Sequence, residues 1–123
     1  MGEKSSIIDE KRGVNGLLYK ALFSFKQNEV QRAFKRAAFR AKILGLTILQ
    51  APLEEAIPHG KLLIVIPRKS GSAVKRNRFR RRAKAIFYEE KLYQKPIISI
   101  LLVYKEAIDF SFDQIKKLMV EKL

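Results

Sequence analysis

Positions 68–84 carry nine cations and no acid, and here residue type and spacing point to chemistry more clearly than elsewhere in the chain. Arginine predominates, and its guanidinium group is a planar fork that binds phosphate oxygens in pairs and stacks on bases. Cations this close together repel one another, and bound phosphate groups would relieve that repulsion. The segment therefore predicts a surface that binds a polyanion, with nucleic acid favoured. A merely solvated charged face is the ordinary alternative, which the absence of acids disfavours.

A helix must position these cations. Ser72 can cap its N-terminus, and the helical pattern continues to about Glu90. At about 100° per residue, the apolar residues share one face, which we expect to pack on a sheet. These residues are Phe79, Ala83, Ile86 and Phe87. The opposite face carries Asn77, Arg80, Arg81, Lys84 and Tyr88, flanked by Arg78 and Arg82. Arg76 projects toward the packed side, and we expect it to reach solvent from the first turn.

Composition excludes several classes of protein. The chain has 123 residues, 47% of them hydrophobic, which suits one domain with its own core. Its 26 Lys and Arg against 12 Asp and Glu give a formal charge of +14. The absence of Cys and the single His59 exclude a disulfide scaffold, a Cys- or His-based zinc site and a cysteine nucleophile. The acids are scattered away from the cations, so a metal nuclease is not predicted.

Membrane attachment is not expected either. The N-terminus lacks an apolar signal core, and the longest strongly apolar run, Ile97–Val103, is far too short to span a bilayer. We therefore expect a soluble, cytoplasmic protein with no membrane partner.

The first half of the chain predicts a tail, a helix and two strands. Residues 1–24 are predicted to be a loose tail, and residues 25–123 to be the domain. A first helix is predicted over residues 28–36, with Asn28 as its cap and Glu29 at its positive end. Apolar stretches predict strands over residues 43–50 and 61–66, which could pair as an antiparallel hairpin.

The second half adds a strand and a helix after the central helix. Residues 97–104 predict a third strand, and Ser111 with Gln114 forms a capping box that opens a final helix. The predicted order α-β-β-α-β-α indicates a single α+β domain.

Residues 64–81 resemble the signature of the protein subunit of bacterial ribonuclease P. Within them, residues 69–81 combine a Lys-x-Gly-x-Ala-Val turn, an Arg-Asn-Arg core and two further basic residues. Residues 64–69 correspond to the strand and basic turn that lead into this signature. A weaker similarity runs from the first helix to the final helix, so the resemblance covers most of the chain.

The resemblance implies a fold and a role. The fold is a two-layer sandwich of order α-β-β-(β)-α-β-α, in which the central helix joins parallel strands by a left-handed crossover. The role is that of an accessory subunit of a ribonucleoprotein endonuclease, which binds the ribonuclease P RNA and the 5′ leader of precursor tRNA. The RNA component, with Mg²⁺, would carry out the hydrolysis, so the protein itself would hold no catalytic residue and no metal.

The resemblance also implies two groups of site residues. The RNA-binding group is Arg68, Lys69, Lys75, Arg76, Asn77, Arg78, Arg80, Arg81 and Lys84, of which Lys84 stands where the family often has Arg. The leader-cleft group is Phe34, Val30 and Arg32. Val30 stands where the family commonly has an aromatic residue, and a lost base–aromatic stack weakens binding by roughly 1–3 kcal/mol.

Two other functions remain open from the residues alone. A structural RNA-binding protein, such as a ribosomal protein or an rRNA chaperone, would carry a similar charge, and the signature at residues 69–81 argues against it. A DNA-binding helix is disfavoured because the chain shows no dimer element that would match paired half-sites.

Overall fold

The computed structural model describes residues 14–53 and 57–123, which form four helices and a four-stranded sheet. The helices are α1 (Val14–Phe23), α2 (Gln27–Arg36), α3 (Ala73–Glu89) and α4 (Phe112–Lys122). The strands are β1 (Ala38–Ile43), β2 (Leu46–Pro52), β3 (Lys61–Val65) and β4 (Ile97–Val103). Single 3-10 turns, Arg68–Ser70 and Leu92–Gln94, precede and follow α3. The prediction of an α+β domain is confirmed.

The strands lie in the order β1-β2-β4-β3. β1 and β2 form an antiparallel hairpin in which Ile43 pairs with Leu46, so Leu44 and Gly45 make a two-residue turn. β2 also pairs antiparallel with β4, whereas β3 lies parallel to β4 and reaches it through α3. The hairpin turn and the carboxyl ends of β3 and β4 therefore meet at one end of the sheet.

Alternate strand residues face two separate cores. The larger core lies between one face of the sheet and α1, α3 and α4. Its buried members include Leu22, Leu46, Ile48, Leu62, Phe79, Phe87, Leu101, Val103, Ile115 and Met119. On the other face, Ala33 of α2 packs with Ala51, Ile98 and Ile100. Leu49, Leu63 and Leu102 are only half-buried there, so α2 covers this face in part.

The loose tail predicted for residues 1–24 is wrong where the structure describes it. Residues 14–23 form α1, and Leu22 is fully buried in the larger core. The Phe23 ring lies 5.9 Å from that of Phe87 on α3, measured between centroids. Such tertiary contacts stabilise a short helix whose glycine would disfavour it in isolation. Residues 1–13 lie outside the described part of the chain.

The strand predicted over residues 43–50 is also corrected. The chain reverses at Leu44, whose φ of 51° is left-handed, and β1 and β2 lie on either side of that turn. The proposed pairing of residues 43–50 with residues 61–66 is wrong, because β4 lies between β2 and β3. β4 is apolar on both faces and nearly all buried, and an inner position in the sheet covers both of those faces.

The helix caps agree with prediction in α3 and α4 and differ in α2. The Ser72 hydroxyl accepts a hydrogen bond from the Lys75 backbone N–H at 3.2 Å, and the Ser111 capping box is formed. Asn28 does not cap α2, which begins at Gln27. Instead the Glu29 carboxylate accepts a 2.9 Å hydrogen bond from the backbone N–H of Lys26.

Candidate nucleic-acid interface

The two faces of α3 separate as the periodicity predicts. Phe79, Ala83, Ile86 and Phe87 are at most 1% exposed and belong to the larger core. The cations that alternate with them on the helix stand away from this buried face. One side of α3 therefore packs in the core, and the other side carries the cations.

The outward side of α3 carries a group that we call the Arg81 face, made of Asn77, Arg80, Arg81 and Lys84. Arg81 is exposed and forms no ion pair or hydrogen bond with any described residue. Arg80 donates a long hydrogen bond of 3.3 Å to the Asn77 side-chain oxygen. The Lys84 ammonium lies 5.5 Å from the centroid of the Phe23 ring. These side chains have no acidic partner in the described chain, so phosphate groups can bind them without displacing one.

Asp109, in the segment between β4 and α4, lies beside the N-terminal part of α3. The sequence does not predict this position. The Asp109 carboxylate accepts from the Lys75 ammonium at 3.2 Å and from the Arg78 guanidinium at 3.0 Å. The expectation that the acids lie away from the cations is therefore wrong at these two positions. Asp109 stands 31 positions beyond Arg78, and no local pattern in the sequence links them. A phosphate at this end of α3 would compete with Asp109.

Two further arginines of α3 bind backbone carbonyls. The Nε of Arg76 donates to the Gly71 carbonyl at 3.2 Å, so Arg76 is half-buried rather than fully released to solvent. Arg82 donates to the Phe110 carbonyl at 3.1 Å and ties α3 to the segment before α4. Both side chains therefore help to hold the fold, in addition to any contact they make with a partner.

Arg68 and Lys69 extend the cations of α3 toward the end of the sheet. Both are exposed in the 3-10 turn that precedes Ser72. Ser70, buried in the same turn, donates from its hydroxyl to the Val103 carbonyl at 3.0 Å. This bond holds the basic turn against the end of β4.

The structure does not bring the three predicted cleft residues to one side of α2. Phe34, 39% exposed, and the half-buried Val30 lie one turn apart, on one side of the buried Ala33. Arg32 lies on the other side and lines a small cavity of about 40 Å³ with Arg36. Val30 and Phe34 are thus the pair that shares one side of the helix, and Arg32 belongs to a separate surface.

A partly buried ion pair links α2 to the start of β3. The Lys61 ammonium, in a residue only 7% exposed, lies 3.4 Å from the Glu29 carboxylate and 4.3 Å from the centroid of the Phe25 ring. The hydrogen bond from Lys26 and, secondarily, the charge of Lys61 hold the pKa of Glu29 below its ordinary value. The position of α2 over the sheet therefore depends on a charged carboxylate.

The described ranges contain neither a cluster of metal-ligating side chains nor a membrane-spanning helix. Within residues 14–53 and 57–123, no three Asp, Glu, His or Cys side chains lie close enough together to hold a metal ion. No helix among the described residues is long and apolar enough to cross a bilayer.

The comparisons with known proteins identify one family. The family model described as Ribonuclease P matches residues 23–123. A ribonuclease P protein component of Bacillus velezensis is 34% identical over 93 residues, which cover 75% of this chain and 78% of that protein. Both findings confirm the resemblance in the residues around α3.

Solved structures agree on the fold. A mutant of the Staphylococcus aureus RNase P protein with defective mRNA degradation activity matches with a TM-score of 0.73 at 24% identity, covering 89% of this chain and 92% of that one. The RNase P protein from Thermotoga maritima matches with a TM-score of 0.66 at 18% identity, covering 77% of this chain and 88% of that one.

Proposed function

Because the chain belongs to the ribonuclease P protein family, we propose that it is the protein subunit of ribonuclease P and acts in the 5′ maturation of tRNA. In this proposal the Arg81 face and the basic turn at Arg68 and Lys69 bind the ribonuclease P RNA. The partly open face of the sheet beside α2 holds the 5′ leader of precursor tRNA.

The division of α3 into a buried face and a cationic face is the observation that carries the proposal. Arg80, Arg81 and Lys84 have no acidic partner among the described residues, so binding to phosphates gains attraction without breaking an ion pair. Arginine binds phosphate through paired hydrogen bonds, and RNA presents phosphates along its whole backbone. The protein therefore supplies positive charge on a rigid helix, which brings RNA strands together.

Leader binding has a weaker basis in the side chains. Val30 and Phe34 lie to one side of Ala33, the α2 residue that packs on the sheet face with the half-buried Leu49, Leu63 and Leu102. Phe34 is exposed enough to stack on a base, whereas Val30 has no ring with which to stack. We therefore infer a leader site with one aromatic contact from α2, with the remaining contacts made by the apolar sheet face.

Catalysis is assigned to the RNA component. The described residues offer cationic side chains where a metal centre would need clustered carboxylates, so they do not fit Mg²⁺. The protein would instead neutralise phosphates, and folded RNA would then need less Mg²⁺ to hold its strands together. No step of the hydrolysis is assigned to a side chain of this chain.

Reconstitution tests the proposal. Precursor tRNA cleavage by a bacterial ribonuclease P RNA is measured at low Mg²⁺ with and without the chain, and we expect the chain to increase it. The double variant Arg80→Gln and Arg81→Gln should lose most of that gain, whereas Lys117→Gln and Lys122→Gln, which remove the same charge from α4, should retain it. A chain that binds RNA but adds no cleavage would instead be a structural RNA-binding protein.

A further inference from the structure

A cavity of about 610 Å³ lies at the end of the sheet where the hairpin turn meets the carboxyl ends of β3 and β4. This volume falls within the roughly 300–1,000 Å³ of small-ligand sites. The side chains that matter in its lining are Lys42, Leu44, Lys69, Tyr104, Lys105 and Glu106. Except for Lys69, none of them belongs to the family signature or to the residues assigned above.

Three separate segments build this cavity and are bonded to one another. The Tyr104 backbone N–H donates to the Gly45 carbonyl at 2.8 Å, which ties the hairpin turn to the segment after β4. A Cβ at Gly45 would lie 2.8 Å from the Ala107 nitrogen and 2.9 Å from the Glu106 Cβ, so this contact requires glycine. The hydrogen bond from Ser70 to Val103 holds the Lys69 turn at the same place. The cavity is therefore a fixed feature of the fold.

Leu44 has a left-handed backbone conformation that is strained for a residue with a side chain, and it belongs to neither core. It is the first central residue of a two-residue hairpin turn, with a φ of 51°, where glycine is strongly preferred. Its side chain is nevertheless 70% exposed at the mouth of the cavity. Strained residues with exposed side chains are common at binding sites, where the side chain serves a ligand rather than the core.

The charge and shape of the cavity indicate its ligand. Lys42, Lys69 and Lys105 are exposed and pair with no acid in the described chain, and Glu106 is the one acid of the lining. Leu44 and Tyr104, 39% exposed, add an apolar and an aromatic surface between these cations. A stacking surface flanked by lysines fits an unpaired base with a phosphate on each side, whereas a duplex could not place a base inside the cavity.

We propose that this cavity binds an unpaired nucleotide of RNA, with the base against Tyr104 and Leu44 and its phosphates near Lys42, Lys69 and Lys105. The proposal rests on the proposed function in taking RNA as the ligand. It adds a second RNA contact, which adjoins the cations of α3 at the Lys69 turn and binds single-stranded RNA. The nucleotide comes either from the ribonuclease P RNA or from precursor tRNA, which share this chemistry.

The first experiment needs no catalysis. The ¹⁵N-labelled full chain is titrated with single-stranded hexauridylate, and the amide signals of residues 42–45, 69 and 104–106 are expected to move. Tyr104→Ala should weaken this binding by about five-fold or more, the loss expected for one base–aromatic stack. Tyr104→Phe is the matched control, because it keeps the aromatic ring that would stack on the base and removes only the hydroxyl.

The Leu44→Gly variant separates a ligand-binding role of the Leu44 side chain from a purely structural one. Glycine relieves the left-handed strain, so we expect the melting temperature to rise while hexauridylate binding weakens. A variant that is more stable and binds as well as the original chain would overturn the proposal. So would a titration in which only signals of α3 move.

The two sources of the nucleotide are separated in the reconstituted enzyme. If the ribonuclease P RNA supplies it, Tyr104→Ala weakens binding of that RNA. If precursor tRNA supplies it, the same variant raises KM with little change in RNA-subunit affinity. An unchanged value in both assays overturns the proposal even if the chain stimulates cleavage. If the chain binds hexauridylate at the cavity but does not stimulate precursor tRNA cleavage, only the proposed function is overturned.

Discussion

Replacement of Arg80 and Arg81 by glutamine tests whether the outward side of α3 binds phosphates. Arg81 is exposed and Arg80 is half-buried, and neither has an acidic partner in the described chain. The hydrogen bond that Arg80 donates to Asn77 is a long one. Glutamine has nearly the same helix propensity as arginine, so α3 should keep its stability. The melting temperature is therefore expected to stay within about 2 °C of the original, since surface changes usually alter stability by less than roughly 0.5 kcal/mol.

The magnitude follows from the release of counterions. Each phosphate contact contributes about 0.7–0.9 to the slope of log affinity against log salt, so losing two contacts should flatten that slope by about 1.4–1.8. Between about 50 and 200 mM salt, the affinity deficit of the variant should then shrink by about 7- to 12-fold.

Filter binding or fluorescence anisotropy with ribonuclease P RNA, repeated over that salt range, measures the slope. Lys117→Gln with Lys122→Gln removes the same charge from α4 and controls for net charge. If the two double variants show the same slope, or if Arg80→Gln with Arg81→Gln leaves the slope unchanged, the Arg81 face does not contact the RNA backbone.

Three shorter predictions concern caps and ion pairs. Asp109→Asn should raise RNA affinity at low salt by up to about five-fold, because it releases two cations from a surface pair worth at most about 1 kcal/mol; a fall in affinity would mean that Asp109 positions Arg78 for binding. Ser111→Ala should lower the free energy of unfolding by about 1 kcal/mol in urea denaturation, whereas Ser111→Gly should lower it by only a few tenths; equal losses would exclude the cap as the cause. The lowered pKa of Glu29 means that its charge stabilises the fold above its ordinary pKa of 4.5, and that this stability is lost as the pH falls through the lower folded value. Glu29→Gln should therefore lose stability at pH 7 and lose less than the original chain between pH 5 and pH 3, and parallel pH profiles would contradict this.

The elements with the strongest local patterns were predicted well. The core face of α3 follows from the spacing of Phe79, Ala83, Ile86 and Phe87, and all four are buried as predicted. The caps at Ser72 and Ser111 also follow from residues only three positions apart. Such features depend on neighbours along the chain, so a single sequence contains the information that sets them.

The hairpin of β1 and β2 was missed because its turn contradicts the usual chemistry. A two-residue turn with left-handed φ at its first central position normally has glycine there, yet this turn has Leu44, and glycine follows it. Gly45 is required by the nearby backbone of Ala107, a residue 62 positions away. The local sequence therefore looks like one continuous strand.

Neither the strand order nor α1 follows from local sequence patterns. β2 and β3 are consecutive in the chain, and the pairing of β4 between them depends on which strand buries most apolar surface on both faces. α1 depends on the contacts of Leu22 and Phe23 with the larger core. Both results come from competition among distant segments for the same core, which local propensity does not describe.

By itself, the sequence determined that one helix carries an arginine face, that this face opposes an apolar one, and that the surrounding residues carry the family signature. These properties follow from residue type and from a period of 3.6, which are local. Only the tertiary structure decided that Asp109 pairs with Lys75 and Arg78 of α3. It also brought Lys42, Lys69, Tyr104 and Lys105 to one cavity, because three segments that are distant in the chain meet at the same end of the sheet.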